Sequence, residues 1–201
     1  MPTEDRQPSV IVQLRKLMPA RPLTLPEALR IAELQATRLL ALAGIKCPPV
    51  PSSVVLDLRH VVVDWVDPLP MSGYTRWSKG RWEIVINGAE SAVRQRFSLL
   101  HEFKHILDHP FITEAYQKVN DPEAWAEQVC HYFAGCALMP RAWVKNEYFN
   151  HGTQDVANLA SHFDVSRAAM RVRMAQIGMA ERVPRCGYYQ RAANPNVEMA
   201  A

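Results

Sequence analysis

The segment His101-Glu102-Phe103-Lys104-His105 constrains this chain more than any other part of its sequence. On an α-helix, residues four apart lie one turn apart on the same face, so two imidazoles at this spacing can bind one metal ion. Glu102 lies beside them, where its carboxylate can take a proton from a water molecule held by that ion. The spacing therefore predicts a helix with His101 and His105 as metal ligands and Glu102 as a general base.

The surrounding sequence supports a helix at this place. Apolar residues recur at helical spacing from about residue 90 to residue 109, among them Phe97, Leu100, Phe103 and Leu107. The two histidines fall on the polar face of this pattern. The alternative is a surface helix with two ordinary histidines and a solvated glutamate, which the placement of the motif disfavours.

A catalytic zinc ion needs a third protein ligand and an open position for water. No Gly-x-x-His follows His105 at the spacing that would supply a third histidine, so we expect the ligand on a later helix. Three residues remain open on spacing alone, namely Glu127, Glu123 one turn earlier and His131 one turn later. His131 would otherwise orient a ligand through a hydrogen bond.

The composition is that of an ordinary globular chain. Hydrophobic residues make up 48% and charged residues 21% of the sequence, and the formal net charge of +3 is too small to require an anionic partner. The four cysteines have no CxxC spacing, and Cys130 and Cys136 fall on one predicted helix, which favours reduced thiols. The sequence has no long apolar run and no apolar leader. These features predict a cytoplasmic protein without a membrane partner.

Periodicity and turn residues divide the chain into helices and strands. We expect a helix that follows Pro26 and ends near Gly44, a strand region over 53–66, a hairpin with strands near 73–77 and 82–87, a helix from Asp121-Pro122 to Met139-Pro140, and helices over 141–149, about 154–163 and 167–177. The predicted organisation is a loosely ordered arm over 1–22, a core over 23–150, a helix-turn-helix-like segment over 151–183 and a flexible tail over 184–201.

The C-terminal helical pair resembles a helix-turn-helix, with Ser166 as the expected cap of its second helix. Arg167, Arg171 and Arg173 could contact DNA phosphates or base edges if that helix entered a major groove. Against this, Asp164 stands where such turns favour glycine, and the net charge is small. We therefore favour a helical pair that packs on the core over one that binds DNA.

Four ordered blocks around the histidines carry a resemblance to a known family. The string RQRFSLLHEFKHILDH is preceded by a hairpin that ends in EIVIN and is followed by E-x5-FAGCALMP, which begins at Glu127. Over about residues 27–180 this arrangement resembles the ImmA/IrrE family of metallo-endopeptidases. The sequence departs from the family's pattern at Val129, Cys130 and His131, where Glu-Ala-Asn is usual.

The resemblance implies an α+β fold, in which a helical, minigluzincin-like zinc-peptidase core packs on a small antiparallel β-sheet and the helix-turn-helix-like pair follows. It also implies one zinc ion per chain, held by His101, His105 and Glu127, with Glu102 as general base. The implied activity is hydrolysis of a peptide bond in a protein substrate. In such families the substrate is typically a helix-turn-helix repressor of a phage, a mobile element or a stress response.

Two other classes of function remain open. The chain could be a DNA-binding regulator whose metal site is structural or vestigial, or one half of a toxin–antitoxin pair that acts by binding alone. For the peptidase, the hairpin strand over 83–87 is expected to be exposed and to accept an extended substrate peptide by strand addition. Tyr116 and Tyr132 are expected to be packing residues rather than additional oxyanion donors.

Overall fold

A computed structural model describes residues 8–116, 121–152 and 155–179. In this part of the chain nine helices and three strands follow in the order α1 (Val10–Arg15), α2 (Leu25–Leu42), α3 (Ser53–Leu56), β1 (Val61–Val66), β2 (Gly73–Ser78), β3 (Arg81–Asn87), α4 (Ala92–Asp108), α5 (Ile112–Ala115), α6 (Pro122–Leu138), α7 (Arg141–Asn150), α8 (Val156–His162) and α9 (Arg167–Gln176). The α+β class predicted from the sequence is confirmed. None of these helices is long and apolar enough to cross a lipid bilayer.

Helix α4 lies at the centre of the fold. One of its sides packs against β2 and β3, and another packs against α6, which in turn packs on α2. Phe103 of α4 and Phe133 of α6 are fully buried, and their ring centroids lie 6.3 Å apart. Burial of such a side chain stabilises the fold by about 1.5–3 kcal/mol. This packing holds α4 and α6 side by side, which brings the polar residues of the two helices together.

Capping residues that are visible in the sequence set the starts of two helices. Asp121 caps α6 by accepting a hydrogen bond from the backbone N–H of Ala124 (2.9 Å). Pro122 fills the first helical position, where no backbone N–H is needed. Ser166 caps α9 in the same way through the backbone N–H of Ala169 (3.1 Å). Both predicted caps are confirmed.

The three strands form one mixed sheet in the order β1-β3-β2. β3 pairs in parallel with β1, where Val63 lies opposite Ile84, and antiparallel with β2, where Thr75 lies opposite Ile84. The sheet is small, as predicted, but not wholly antiparallel, because the chain passes from β1 to the far edge before the hairpin returns β3 to the middle. The strand over 83–87 has a partner on each side, so the expectation that it accepts a substrate peptide is wrong. Among the described strands, the free edges belong to β1 and β2.

The segment 53–66 departs from the strand predicted for it. Its first residues form the short helix α3, and the strand begins only at Val61. Val54 and Val55 are 4% and 0% exposed. Burial of these side chains against the core therefore outweighs the β propensity of valine. His60, with a φ of 66°, makes the turn that separates the helix from the strand.

The N-terminal segment from residue 8 to residue 22 differs from the loosely ordered arm expected there. Leu14 of α1 is fully buried in the core. The Arg15 guanidinium donates to the backbone carbonyls of Ile106 (2.7 Å) and Leu107 (3.3 Å). These carbonyls belong to the last turn of α4, where a helix cannot supply its own partners. Arg15 therefore ties α1 to the end of the helix that carries the histidine motif.

The helical pair α8–α9 is tied to the core at two points. Arg96 of α4 donates to the carboxylate and the backbone carbonyl of Asp164, in the turn between the two helices. Asp164 has a φ of 51°, in the left-handed region that favours glycine. Arg173 of α9 donates to the backbone carbonyl of Met139, at the end of α6 (2.9 Å). The pair therefore packs on the core.

Some predictions fall outside the residues that the structure describes. These are the ones for residues 1–7 and 180–201, which include the tail and the fourth cysteine, so the domain boundaries there stay predictions. Of the other cysteines, Cys130 and Cys136 are buried and Cys47 is exposed, and all three are free thiols.

Candidate metal centre

Three side chains from two helices converge beside the sheet. The His101-to-His105 segment lies on α4 and Glu127 lies on α6. The Nε2 atoms of His101 and His105 are 3.1 Å apart. The two oxygens of the Glu127 carboxylate reach one histidine each, with Oε2 3.2 Å from His101 Nε2 and Oε1 3.2 Å from His105 Nε2. Two nitrogens and one carboxylate therefore meet at one point between the helices.

The spacing of these donor atoms fits a zinc ion. Zinc in proteins prefers a tetrahedron of ligands about 2.0 Å from the ion, which places the ligand atoms about 3.3 Å from one another. The two imidazole nitrogens lie 3.1 Å apart, and each lies 3.2 Å from a different oxygen of the Glu127 carboxylate, so these separations are close to that value. Two imidazoles and one carboxylate are also a ligand set found at catalytic zinc sites, where the fourth position holds water or substrate. The residues present therefore fit a catalytic zinc ion.

The structure separates the candidates for the third ligand by position. The described residues contain two clusters of metal-capable side chains, namely His101 with Glu102 and His105, and His101 with Glu127 and His131. Glu123 belongs to neither cluster, and its side chain is exposed. Glu127 is the carboxylate that α6 brings to both histidines, and His131 lies nearby. We call His101, Glu102, His105 and Glu127 the metal cluster.

Burial gives two members of the metal cluster unusual acidities. Glu102 and His101 are only 7% and 8% exposed, far less than a solvent-facing polar stripe would be. Burial raises the pKa of the Glu102 carboxyl to about 7. Burial also lowers the pKa of His101 to about 4, although its hydrogen bond with Glu127 opposes the shift. His101 is therefore neutral at pH 7, which is the form that binds a metal, and Glu102 titrates near the pH at which a general base works best.

The other two members of the metal cluster respond to each other's charge. At His105, burial lowers the pKa, but the hydrogen bond with Glu127 and the charges of Glu102, Glu127 and Asp108 outweigh it and leave the pKa raised. The hydrogen bonds with His101 and His105 hold the pKa of Glu127 well below its usual range. Glu127 is therefore ionised at neutral pH, as a metal-binding carboxylate must be.

His131 lies at the rim of the metal cluster. Its Nδ1 donates a hydrogen bond to the backbone carbonyl of Glu127, one turn earlier on α6, at 2.7 Å. Its ring packs edge-on against the ring of His101, with centroids 4.4 Å apart, and against Phe97 at 5.8 Å. The side chain is exposed, so His131 lies on the solvent side of the site.

Gly73, the first residue of β2, is a part of the site that the motifs do not reveal. A Cβ atom at this position would lie 2.9 Å from the carbonyl oxygen of Val85 and 3.4 Å from Cγ of Glu102. A larger residue would therefore clash with the backbone of β3 and contact the side chain of Glu102. The sequence does offer one sign of this contact, because a glycine within a strand often marks a place where another chain segment or a ligand comes close to the backbone. The free edge of β2 consequently begins beside Glu102.

A second buried polar group lies on the neighbouring stripe of α4. Lys104 and Asp108 are 0% and 1% exposed and form an ion pair one turn apart. The second oxygen of the Asp108 carboxylate accepts a hydrogen bond from the hydroxyl of Tyr116 (3.0 Å). We call Lys104, Asp108 and Tyr116 the anchor network. Because its hydroxyl is engaged there, Tyr116 has the packing role expected of it.

The arginines proposed for DNA contact differ in exposure. Arg167 and Arg171 are exposed and lie one turn apart on α9. Arg173 is only 1% exposed, and besides its bond to α6 its guanidinium donates to Glu33 Oε1 (3.3 Å) and lies over the ring of Tyr132. Arg173 and Tyr132 therefore hold α9 on α6 and α2 instead of facing a ligand. The sequence could not separate these arginines, because the burial of α9 depends on distant residues.

Comparison with known proteins agrees with this geometry. The family model of the IrrE N-terminal-like domain, the peptidase M78 family, matches residues 67–175. The match covers more than half of the chain and includes the hairpin, the histidine motif and Glu127. No curated protein matches the chain. The resemblance seen in the sequence blocks is confirmed, and the chain belongs to the IrrE N-terminal-like (M78) family of zinc metallopeptidases.

Proposed function

We propose that this protein is a zinc-dependent endopeptidase that cuts a helix-turn-helix repressor in the cytoplasm. The observation that carries the proposal is the convergence of two imidazoles and one carboxylate at tetrahedral spacing, with a buried glutamate beside them. The repressor rests on the resemblance to the ImmA/IrrE family. The three free cysteines among the described residues suit the reducing compartment in which a repressor acts.

Each member of the metal cluster has one role in this proposal. His101, His105 and Glu127 would hold one zinc ion per chain. Bound zinc supplies a water molecule that is acidic near neutral pH and polarises the scissile carbonyl. Glu102 accepts the proton of that water at its carboxylate and returns it to the leaving amine. Its pKa of about 7 suits both halves of this transfer.

The free edge of β2 offers a place for the substrate backbone. An extended peptide can add to an exposed strand through backbone hydrogen bonds. β2 pairs only with β3 among the described strands, and Gly73 brings its first residue against Glu102. A peptide added to β2 would therefore pass the general base. This edge takes the place of the strand over 83–87, which is paired on both sides.

Glu102→Gln tests the mechanism. The variant keeps the shape of the side chain but cannot accept a proton, so cleavage should fall by about 10²–10⁴-fold while zinc content stays at one ion per chain. The measurement is cleavage of a purified helix-turn-helix repressor that the wild-type protein cuts, followed on a gel, with zinc determined by atomic absorption. Glu123→Gln, an exposed glutamate on the first turn of α6, is the matched control and should cleave normally. A repressor that Glu102→Gln still processes would refute the proposal.

Glu127→Ala tests the third ligand. Loss of a direct ligand should weaken zinc binding by more than the about 10- to 100-fold that loss of a supporting hydrogen bond costs. Zinc affinity is measured by competition with a chromophoric chelator, with Glu123→Ala as control. If Glu127→Ala holds zinc as tightly as the wild type does, Glu127 is not a ligand.

Binding to DNA is the second candidate, and the exposure of Arg167 and Arg171 on one face of α9 favours it. If α9 entered a major groove, Arg171→Ala would weaken binding to duplex DNA and reduce its salt dependence. The burial of Arg173 removes one of the three contacts that this hypothesis needs. Equal DNA binding by Arg171→Ala and the wild type would dismiss it.

A further inference from the structure

His131 makes the backbone hydrogen bond that is typical of metal-binding histidines, although the proposed mechanism gives it no role. Histidines that bind metals usually donate their other ring N–H to a carboxylate or a backbone carbonyl, which fixes the tautomer and the ring. The Nδ1–H of His131 makes such a bond, to the carbonyl of Glu127 at 2.7 Å. Since a carbonyl can only accept, the neutral ring carries its lone pair on Nε2.

The position of His131 repeats the geometry of the histidine motif. Glu127 and His131 lie four residues apart on α6, as His101 and His105 do on α4, so each helix presents two donors one turn apart. Ligand atoms of His101, Glu127 and His131 lie within 4.8 Å of one another, which is wider than the about 3.3 Å of a tetrahedral zinc site, so the exposed His131 side chain would have to rotate inward to bind the ion. The His131 ring is held there by the ring of His101 on one side and Phe97 on the other.

We infer that His131 is a fourth protein ligand of the zinc ion in the substrate-free protein, with Nε2 as the ligand atom. The inference rests on the proposed function, since it concerns the same metal. A zinc ion with four protein ligands is closed, whereas catalysis needs a position for water. His131 must therefore leave the ion before the water that Glu102 activates can bind.

The surroundings of His131 permit this movement. Its side chain is exposed, unlike that of His101, and its contacts at the site are two ring packings and one hydrogen bond. A substrate strand on the β2 edge would bring its carbonyl to the metal cluster and compete for the same position. The resting protein would then be protected from random cleavage until a substrate displaces His131.

X-ray absorption at the zinc edge tests the inference, because the outer-shell scattering counts the imidazoles around the ion. The zinc-loaded wild type should show three imidazoles and His131→Ala two. Zinc affinity should fall about tenfold or more in His131→Ala. His109→Ala is the matched control, since His109 is the exposed residue that ends α4 and its ring packs on Trp82. This control should show three imidazoles.

The outcomes separate the inference from the proposed function. Two imidazoles in the wild type, with cleavage still lost in Glu102→Gln, would overturn the role of His131 and leave the peptidase intact. Three imidazoles in both the wild type and His131→Ala would also overturn it. A wild type that binds no zinc would overturn both proposals. Two imidazoles in the wild-type spectrum would decide against His131 without any variant, so a misfolded substitution could not hide that result.

Discussion

Helix α4 carries two buried polar groups on adjoining stripes, and they are built in opposite ways. In the anchor network, both oxygens of the Asp108 carboxylate have partners, one from Lys104 and one from Tyr116. In the metal cluster, Glu127 pairs with both histidines, but other polar groups are left without a partner. His101 Nδ1 is buried with no hydrogen-bond partner among the described residues, and the pKa of Glu102 is raised to about 7.

The difference separates a structural polar group from a functional one. Burial of a polar group is costly unless a partner replaces its water, so most buried polar atoms are paired. The anchor network follows that rule, because each of its buried charged groups has a partner. The metal cluster departs from it, and perturbed, incompletely paired groups in one place are typical of a binding or catalytic site. Three substitutions probe this contrast, and two of them remove a charge, one from the anchor network and one from the metal cluster.

Of the three substitutions, Lys104→Met is expected to change the free energy of unfolding most, by lowering it. It leaves the Asp108 carboxylate buried with only the Tyr116 hydroxyl as partner, and breaking a buried ion pair from one side costs about 3–5 kcal/mol. The free energy of unfolding, measured by urea denaturation, should fall by that amount. The exposed lysine Lys46 gives the control Lys46→Met, which should stay within about 0.5 kcal/mol of the wild type. Equal stabilities of the two variants would show that the pair does not stabilise the fold.

In the metal cluster, the substitution Glu102→Gln is expected to raise the free energy of unfolding instead of lowering it. The pKa of Glu102 is about 7 in the folded protein against an ordinary 4.5, so ionising this group destabilises the fold. Its favourable contribution is complete below about pH 4.5 and is lost as the pH rises through 7. The loss is at most about 3 kcal/mol. Glu102→Gln cannot titrate, so the metal-free variant should gain up to that amount over the metal-free wild type between these pH values.

Urea denaturation of both metal-free proteins from pH 4.5 to pH 8 measures this difference. The comparison of two variants cancels the titration of other groups, such as His101, whose lowered pKa acts in the opposite direction. Glu123→Gln, which alters an exposed carboxylate, should show no such trend. Parallel stability curves for Glu102→Gln and the wild type would mean that Glu102 is not held in a low-polarity environment.

The sequence predicts the parts of this contrast that depend on local spacing. Patterns within a few residues predict the histidine pair, its glutamate, the Asp121 cap and the hairpin before α4. No such local pattern predicts the anchor network. Lysine and aspartate four apart on a helix have the same spacing whether they are solvated or buried, and only the packing of distant elements decides between the two.

The dependence on distant elements also explains the other differences between the predicted and the observed structure. β1 joins the sheet in parallel, α1 docks on the end of α4, and Arg173 is buried, because in each case a partner far along the chain sets the position. Intrinsic propensity is a weak guide when such tertiary contacts compete with it. Spacing alone leaves Glu127 as one of three candidates for the third ligand, because its place depends on the packing of α6 against α4.

The smallest of the three effects is expected from Tyr116→Phe. The substitution removes one hydrogen bond to a charged acceptor and leaves Lys104 to pair with Asp108, so the free energy of unfolding should fall by about 1.5–3 kcal/mol. Tyr148→Phe, on a partly exposed tyrosine of α7, is the control and should change stability by less than about 0.5 kcal/mol. Zinc affinity should be unchanged in both variants, because the hydroxyl of Tyr116 serves the anchor network and not the metal cluster. A folded Tyr116→Phe protein that binds zinc markedly less tightly would show that the two stripes of α4 act as one unit.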